Sequence, residues 1–296
     1  MLKKKKYDNN YSWIFVIIVV LIIAIPITCT KVTKKVDKPE YKDIEEPIIN
    51  DLEQDSGQET EEPIIDNSGI KQLVIIVDDF GEANNSLVND FNELPDEVAF
   101  AIIPDLPKSK QVMAQAMLKN REVLIHMPME PESYPKDNPG KSAIYTSLND
   151  DEIKARVVHF CEELPNAVGI NNHMGSKATS DKRTMDAVCS VLSEKGMFFI
   201  DSFTIASSVV SQAAKDAGIP SYRRHVFLDV PDSSLDNAKL KIDELKKKNE
   251  RNNPTVVITH CLTKAKLLQL QEFIRLAQSE GYVLIPVSQI FVKPIL

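Results

Sequence analysis

The chain has 296 residues, a formal net charge of -8 and 43% hydrophobic residues, which suits one large domain with an ample core plus appendages. An acidic balance argues against the basic face of a nucleic-acid binder, so no nucleic-acid partner is expected. The four cysteines, Cys29, Cys161, Cys189 and Cys261, include no CxxC pair, so neither a zinc ribbon nor a disulfide framework is indicated.

The N-terminus opens with a basic cluster, Lys3 to Lys6, followed by an apolar, uncharged run from Ser12 to Thr28 with Trp13 at its entrance. This pattern predicts a single membrane-spanning signal anchor within residues 1–30, with the lysines cytoplasmic and the remainder of the chain extracytoplasmic. Residues 31–69 are rich in Glu, Asp, Pro and Lys and predict an extended, disordered stalk. Residues 70–296 then read as one folded domain.

In that domain Leu73 to Val77 is an unbroken apolar run closed by Asp78-Asp79, with Phe80-Gly81 breaking into a loop. It predicts a strand buried on both faces. Adjacent carboxylates there need a metal, a shared proton or a cationic partner; the bland alternative is a loop Asp ahead of a helix cap. A helix over 84–93 follows, then a strand 98–103 ended by Pro104-Asp105 and a helix 108–119. The third strand, 122–125, ends at His126, and a polar loop leads to a helix 150–163 capped by Asn149 or Asp150. A fourth strand, 168–170, runs into Asn171-Asn172-His173. Helix 181–195, strand 197–200 with Asp201, helix 207–217 and strand 222–228 with Asp229 continue the alternation. Helix 235–250, strand 255–258 with His260, helix 263–279 and strand 282–285 complete it.

Strand–helix alternation repeated about eight times over roughly 225 residues predicts a parallel α/β fold, a closed or distorted (β/α) barrel. Ligands of such folds gather beyond the strand carboxyl ends. Those ends carry Asp78, Asp79, Asp105, His126, His173, Asp201, Asp229 and His260. Of the five histidines, His159 on a helix and His225 within a strand read as structural. A carboxylate and two imidazoles suffice to hold a zinc-like divalent ion with water in an open position. Asn171 and Asn172 read as buried turn residues in preference to sugar-binding amides. Cys261 has no assigned role, and no organic-cofactor site is read.

Val77 to Gly81, Leu124 to Pro131, Gly169 to Ser176, Phe198 to Ser202 and Val226 to Asp229 resemble the divergent polysaccharide deacetylases. The resemblance covers about residues 70 to 290 and implies a distorted (β/α) barrel related to metal-dependent carbohydrate N-deacetylases. It implies Asp78 as general base, Asp79 and His126 as metal ligands and His260 as general acid. The second histidine of the family's second motif is replaced by Glu130, and His173 from the next strand is the favoured third ligand. Asp201 either orients a catalytic group or caps its loop, and the arginine-proline-tyrosine motif is not evident. The implied activity is deacetylation of an N- or O-acetylated envelope polysaccharide by a membrane-anchored, extracytoplasmic enzyme. The alternatives are a related esterase or amidase, and an inactive module that binds envelope glycan or protein.

Overall fold

The computed structural model describes residues 70–248 and 253–292. The expected anchor and stalk lie outside the described residues. Among the described residues no helix is long and apolar enough to cross a membrane.

The elements follow in the order β1 (Lys71–Phe80), α1 (Ser86–Asn92), β2 (Ala99–Ile102), α2 (Ser109–Met117), β3 (Val123–Met129), α3 (Asp150–Glu163), β4 (Gly169–Met174) and α4 (Lys182–Lys195). They continue with β5 (Phe198–Asp201), α5 (Val210–Ala217), β6 (Ser221–Arg223), β7 (Val226–Phe227), α6 (Leu235–Lys248), β8 (Thr255–His260), α7 (Lys264–Ser279) and β9 (Tyr282–Leu284). Helix starts carry their chemical signals. Asn149 and Glu152 form a capping box on α3, and Asp181 accepts from the Thr184 amide at the start of α4.

All ladders are parallel, in the order β6-β5-β4-β3-β2-β1-β8-β7, with β9 beside the first residues of β1. The two ends of this path, β6 and β7, are separated only by Arg224 and His225, a reach of about 10 Å. The sheet must therefore curl until one segment serves both edges. The Arg224 amide donates to Asp201 on β5 at 2.9 Å, and the next amide, of His225, donates to Val256 on β8 at 2.8 Å. The expected barrel is thus a curled, barrel-like parallel sheet with a seam. The expected sixth strand is divided at that seam, and His225 lies between its halves, its Nδ1 accepting from the Val256 amide.

The strand period of two sorts the core. Leu73, Ile75 and Val77 pack with the helices, in one cluster with Val88, Phe91, Val112, Leu267 and Phe273. Val74, Ile76, Ala99, Ala101, Leu124, Ile200, Val256 and Ile258 pack with one another and with Ile285 and Val287 of the C-terminal segment. Gly169 belongs on this crowded inner side, since a Cβ there would stand 2.4 Å from the Phe198 ring. At the opposite end of β3 from His126, buried Arg121 donates to the carbonyls of Asn92, Leu94, Pro95 and Val98, and its guanidinium lies over the Phe100 ring.

Three strands run further than the sequence suggests. β1 continues through Asp78-Asp79 to Phe80, β3 through His126 and Pro128 to Met129, and β4 through Asn171-Asn172-His173 to Met174. A polar residue does not end a parallel strand whose neighbour still offers backbone partners. Pro128 is tolerated because the β2 ladder stops at Ile102↔Ile125, and on that side only the Pro128 carbonyl is engaged, accepting from the Ile144 amide at 2.8 Å.

Candidate metal centre

Continued alternation aims the polar residues. Asp78 shares the parity of Val74 and Ile76, His126 that of Leu124, and His260 that of Ile258, so these side chains share the inner side at the strand carboxyl ends. Asp79 would alternate away, but its φ of 70° and the register shift between Val77 and Phe80 break the pattern. Asp tolerates this left-handed conformation better than most residues. Gly81 follows at φ 125°, where a Cβ would meet the Ile103 carbonyl at 2.9 Å.

Asp79 Oδ1 consequently lies 3.2 Å from His126 Nε2 and 3.0 Å from His173 Nδ1, and the two imidazole nitrogens are 3.1 Å apart. Asp79 Oδ1 is buried without a hydrogen bond to satisfy it. The edge of a tetrahedron around a zinc ion with ligands at 2.0–2.1 Å is about 3.3 Å. A triangle of this size, made of one carboxylate oxygen and two imidazole nitrogens around an orphaned buried acceptor, fits a divalent ion. The three residues are also the group of metal-ligating type that the described residues bring together.

A second layer holds the triangle. His126 Nδ1 donates to Asn171 Oδ1 at 2.9 Å, which turns the Nε2 lone pair of the neutral ring toward Asp79 and His173. The same amide donates through Nδ2 to Asp78 Oδ1 at 2.8 Å. Asn171 is fully buried and lies within β4, so it is neither a turn residue nor a sugar ligand but a bridge between Asp78 and His126. Asn172 does serve the loop: it donates to the Met174 carbonyl and accepts from the Ser202 amide.

The buried carboxylates and imidazoles shift one another's titration. Burial pushes the Asp78 carboxyl up, against the pull of His126 and His260. Burial alone would also raise Asp79, but His126 and His173 beside it hold it well below the usual carboxylate range. His126 rises above its ordinary value despite burial, because Asp78 and Asp79 face it.

On the neighbouring strand His260 stands in register with Asp78. Its Nδ1 is 2.8 Å from Asp229 Oδ2, which also takes Lys266 Nζ at 2.6 Å. Asp229, like Asp105, stands at an expected strand end with no role assigned from the sequence, and its place after the apolar run Val226 to Leu228 was the available signal.

The remaining candidates stand elsewhere. Glu130 is spent on the Thr146 amide and hydroxyl and on Lys177 Nζ, so it is no ligand. Asp201 accepts from the Phe203 amide and the Ser208 hydroxyl, which makes it a loop cap and not part of the Asp–His cluster. Asp105 pairs with exposed His159 at 2.7 Å. The Cys261 thiol is pushed up to about 12, chiefly by burial, and is a poor nucleophile.

Fold and site define a curled parallel α/β protein with an Asp pair on its first strand and two histidines converging on it. Residues 75–291 match the family model for divergent polysaccharide deacetylases, and the chain belongs to that family. It is 33% identical over 189 residues to the protein YibQ of Escherichia coli (strain K12), covering 64% of this chain and 58% of YibQ. It is 37% identical over 158 residues to a protein of Haemophilus influenzae Rd, covering 53% of this chain and 55% of that one. The chain therefore spans somewhat over half the length of these relatives. The crystal structure of ATU2773 from Agrobacterium tumefaciens C58 shares the fold, with a TM-score of 0.69 at 20% identity over 74% of this chain and 88% of that one.

Proposed function

We propose that the chain is an extracytoplasmic, membrane-anchored, metal-dependent hydrolase that removes acetyl groups from an N- or O-acetylated envelope polysaccharide. The observation that carries this reading is the convergence of Asp79 Oδ1, His126 Nε2 and His173 Nδ1 within 3.2 Å of one another, beside Asp78 and His260. Family membership supports the polysaccharide, and the basic and apolar N-terminal sequence supports the location.

Asp79, His126 and His173 would hold a divalent ion, zinc by the mix of one carboxylate and two imidazoles. When bound, it supplies Lewis acidity that polarises an acyl carbonyl and acidifies water. Asp78 takes the proton of the attacking water; its Oδ1 is fixed by Asn171, and burial raises its pKa, which makes its carboxylate a stronger base. His260 gives a proton to the departing amine or alcohol from Nε2, since Asp229 occupies Nδ1. Asn171 keeps base and ligand in mutual register.

The test is acetate release from N-acetylated chitooligosaccharide and from an O-acetylated glycan by the full chain, with metal content measured in parallel. Asp78→Asn should keep the ion and lower turnover by about 100-fold or more, while His126→Ala should lose both. Full metal occupancy in His126→Ala, or acetate release by the metal-stripped protein, would overturn the assignment. An ion retained without release from either glycan would leave the binding module as the function.

A further inference from the structure

We propose that Phe203 and Arg223 form a subsite for an acidic sugar next to the reacting centre. This rests on the hydrolase reading for the identity of the site but not for the binding itself. Phe203 has φ 49°, a conformation that a bulky side chain avoids unless its surroundings impose it. Here they do. Its amide donates to Asp201 Oδ1 at 2.7 Å, and its carbonyl accepts from Arg224 at 3.0 Å. The preceding carbonyl, of Ser202, accepts from Arg224 Nε at 2.7 Å. Thr204 ties the same loop to the Met174 carbonyl, one residue beyond His173.

The loop is also coupled to the centre from beneath. The Ser202 hydroxyl donates to the Asn172 carbonyl and lies 3.5 Å from Asn171 Nδ2, the amide that bridges Asp78 and His126. Phe203 is thus a half-buried ring on a loop that Ser202 ties to the cluster. Over it, 5.3 Å from the ring centroid, stands the guanidinium of Arg223. Arg223 is exposed, and among the described residues no carboxylate forms an ion pair with it. The neighbouring acid, Asp201, has both oxygens engaged, by the Phe203 amide and the Ser208 hydroxyl.

An aromatic face takes the C–H face of a pyranose ring, and a stacked guanidinium with free donors takes a carboxylate or phosphate in a bidentate manner. Together they recognise a sugar that bears an anionic substituent. Stacking on Phe203 also pre-orients the Arg223 fork, which lowers the ordering cost of capturing the anion.

The probes are two tetrasaccharides of N-acetylated hexosamine, one neutral and one with a carboxylate-bearing ether on alternate rings, titrated calorimetrically into the full chain. The acidic form should bind about tenfold tighter or more, with a preference that shrinks as salt is raised. Arg223→Ala should erase the preference, and Arg223→Lys should restore part of it. Phe203→Gly, which suits the positive φ, should keep the melting temperature and weaken both ligands. Equal affinity for the two tetrasaccharides, or a preference that survives Arg223→Ala, would overturn the subsite, as would failure of both to bind. A preference that depends on Arg223 without any acetate release would sustain the subsite and remove the hydrolase reading.

Discussion

At the scale of single residues, the centre depends on one buried amide. Asn171 fixes the His126 tautomer through Oδ1 and holds Asp78 through Nδ2. Asn171→Ala should lower metal affinity by about 10- to 100-fold without unfolding the protein. A metal titration monitored beside circular dichroism checks this, and unchanged affinity would show that the bridge is incidental. The Asp229–His260 pair gives a pH prediction. Burial alone would lower the His260 pKa, but Asp229 and Asp78 raise it above 6.5. Burial alone would raise Asp229, but His260 and Lys266 hold it below 3.8. The His260 contribution to stability is complete below about pH 6.5 and is lost as pH rises through the raised value. The Asp229 contribution is complete above about pH 3.9 and is lost as pH falls through the depressed value. As a proton donor His260 must be charged, so kcat should fall on the alkaline side, at a pH above about 6.5. Asp229→Asn should move that limb to lower pH; a limb that stays put excludes the pair from the reaction.

At the scale of elements, the loop after β3 and the loop after β4 are joined at Glu130. Its carboxylate takes Thr146 and Lys177, its amide donates to the Ile144 carbonyl, and its carbonyl accepts from the amides of Lys177 and Ala178. Burial would raise its pKa, but Lys177 and Thr146 keep it below the ordinary glutamate value. Glu130→Ala should therefore cost about 1–3 kcal/mol by leaving partly buried donors unpaired, yet retain the metal. Urea unfolding and metal content separate these outcomes, and loss of the ion with little loss of stability would return Glu130 to the ligand set. The structure brings the expected His173 beside His126 and Asp79, and it carries β3 further than the expected strand. Pro128 does not break the strand, since β3 passes through it along an edge that β2 no longer covers. The stretches 122–125 and 168–170 were closed at their first polar residue, because hydrophobic pattern marks burial and cannot mark backbone pairing.

At the scale of the whole molecule, three strands far apart in sequence meet at one centre: β1 brings Asp79, β3 His126 and β4 His173. An ion bound there ties them together in the folded state alone. Free metal at about 100 times the dissociation constant should add about 2.7 kcal/mol of stability. Chelation should accordingly lower the melting temperature of the wild type by several degrees and leave His173→Ala unmoved. A melting temperature indifferent to chelator in both proteins would mean that no ion is held.

The parallel α/β class, the succession of helices and the residues at the strand ends were legible in the sequence, because apolar periodicity and capping chemistry are local. Asp78, Asp79, His126, His173 and His260 stood among the strand-end residues on that basis, and the resemblance to the deacetylase family gave them their expected roles. What only the tertiary structure decided was which of those ends face one another. The positive φ that swings Asp79 inward and the saturation of Glu130 by Thr146 and Lys177 depend on packing across the fold. The withdrawal of Asp201 into its own loop and the pairing of Asp229 with His260 depend on it too. So does the split of the expected sixth strand, since a curled sheet must satisfy two edges with one segment, and no local pattern in Tyr222 to Leu228 records where its partners change.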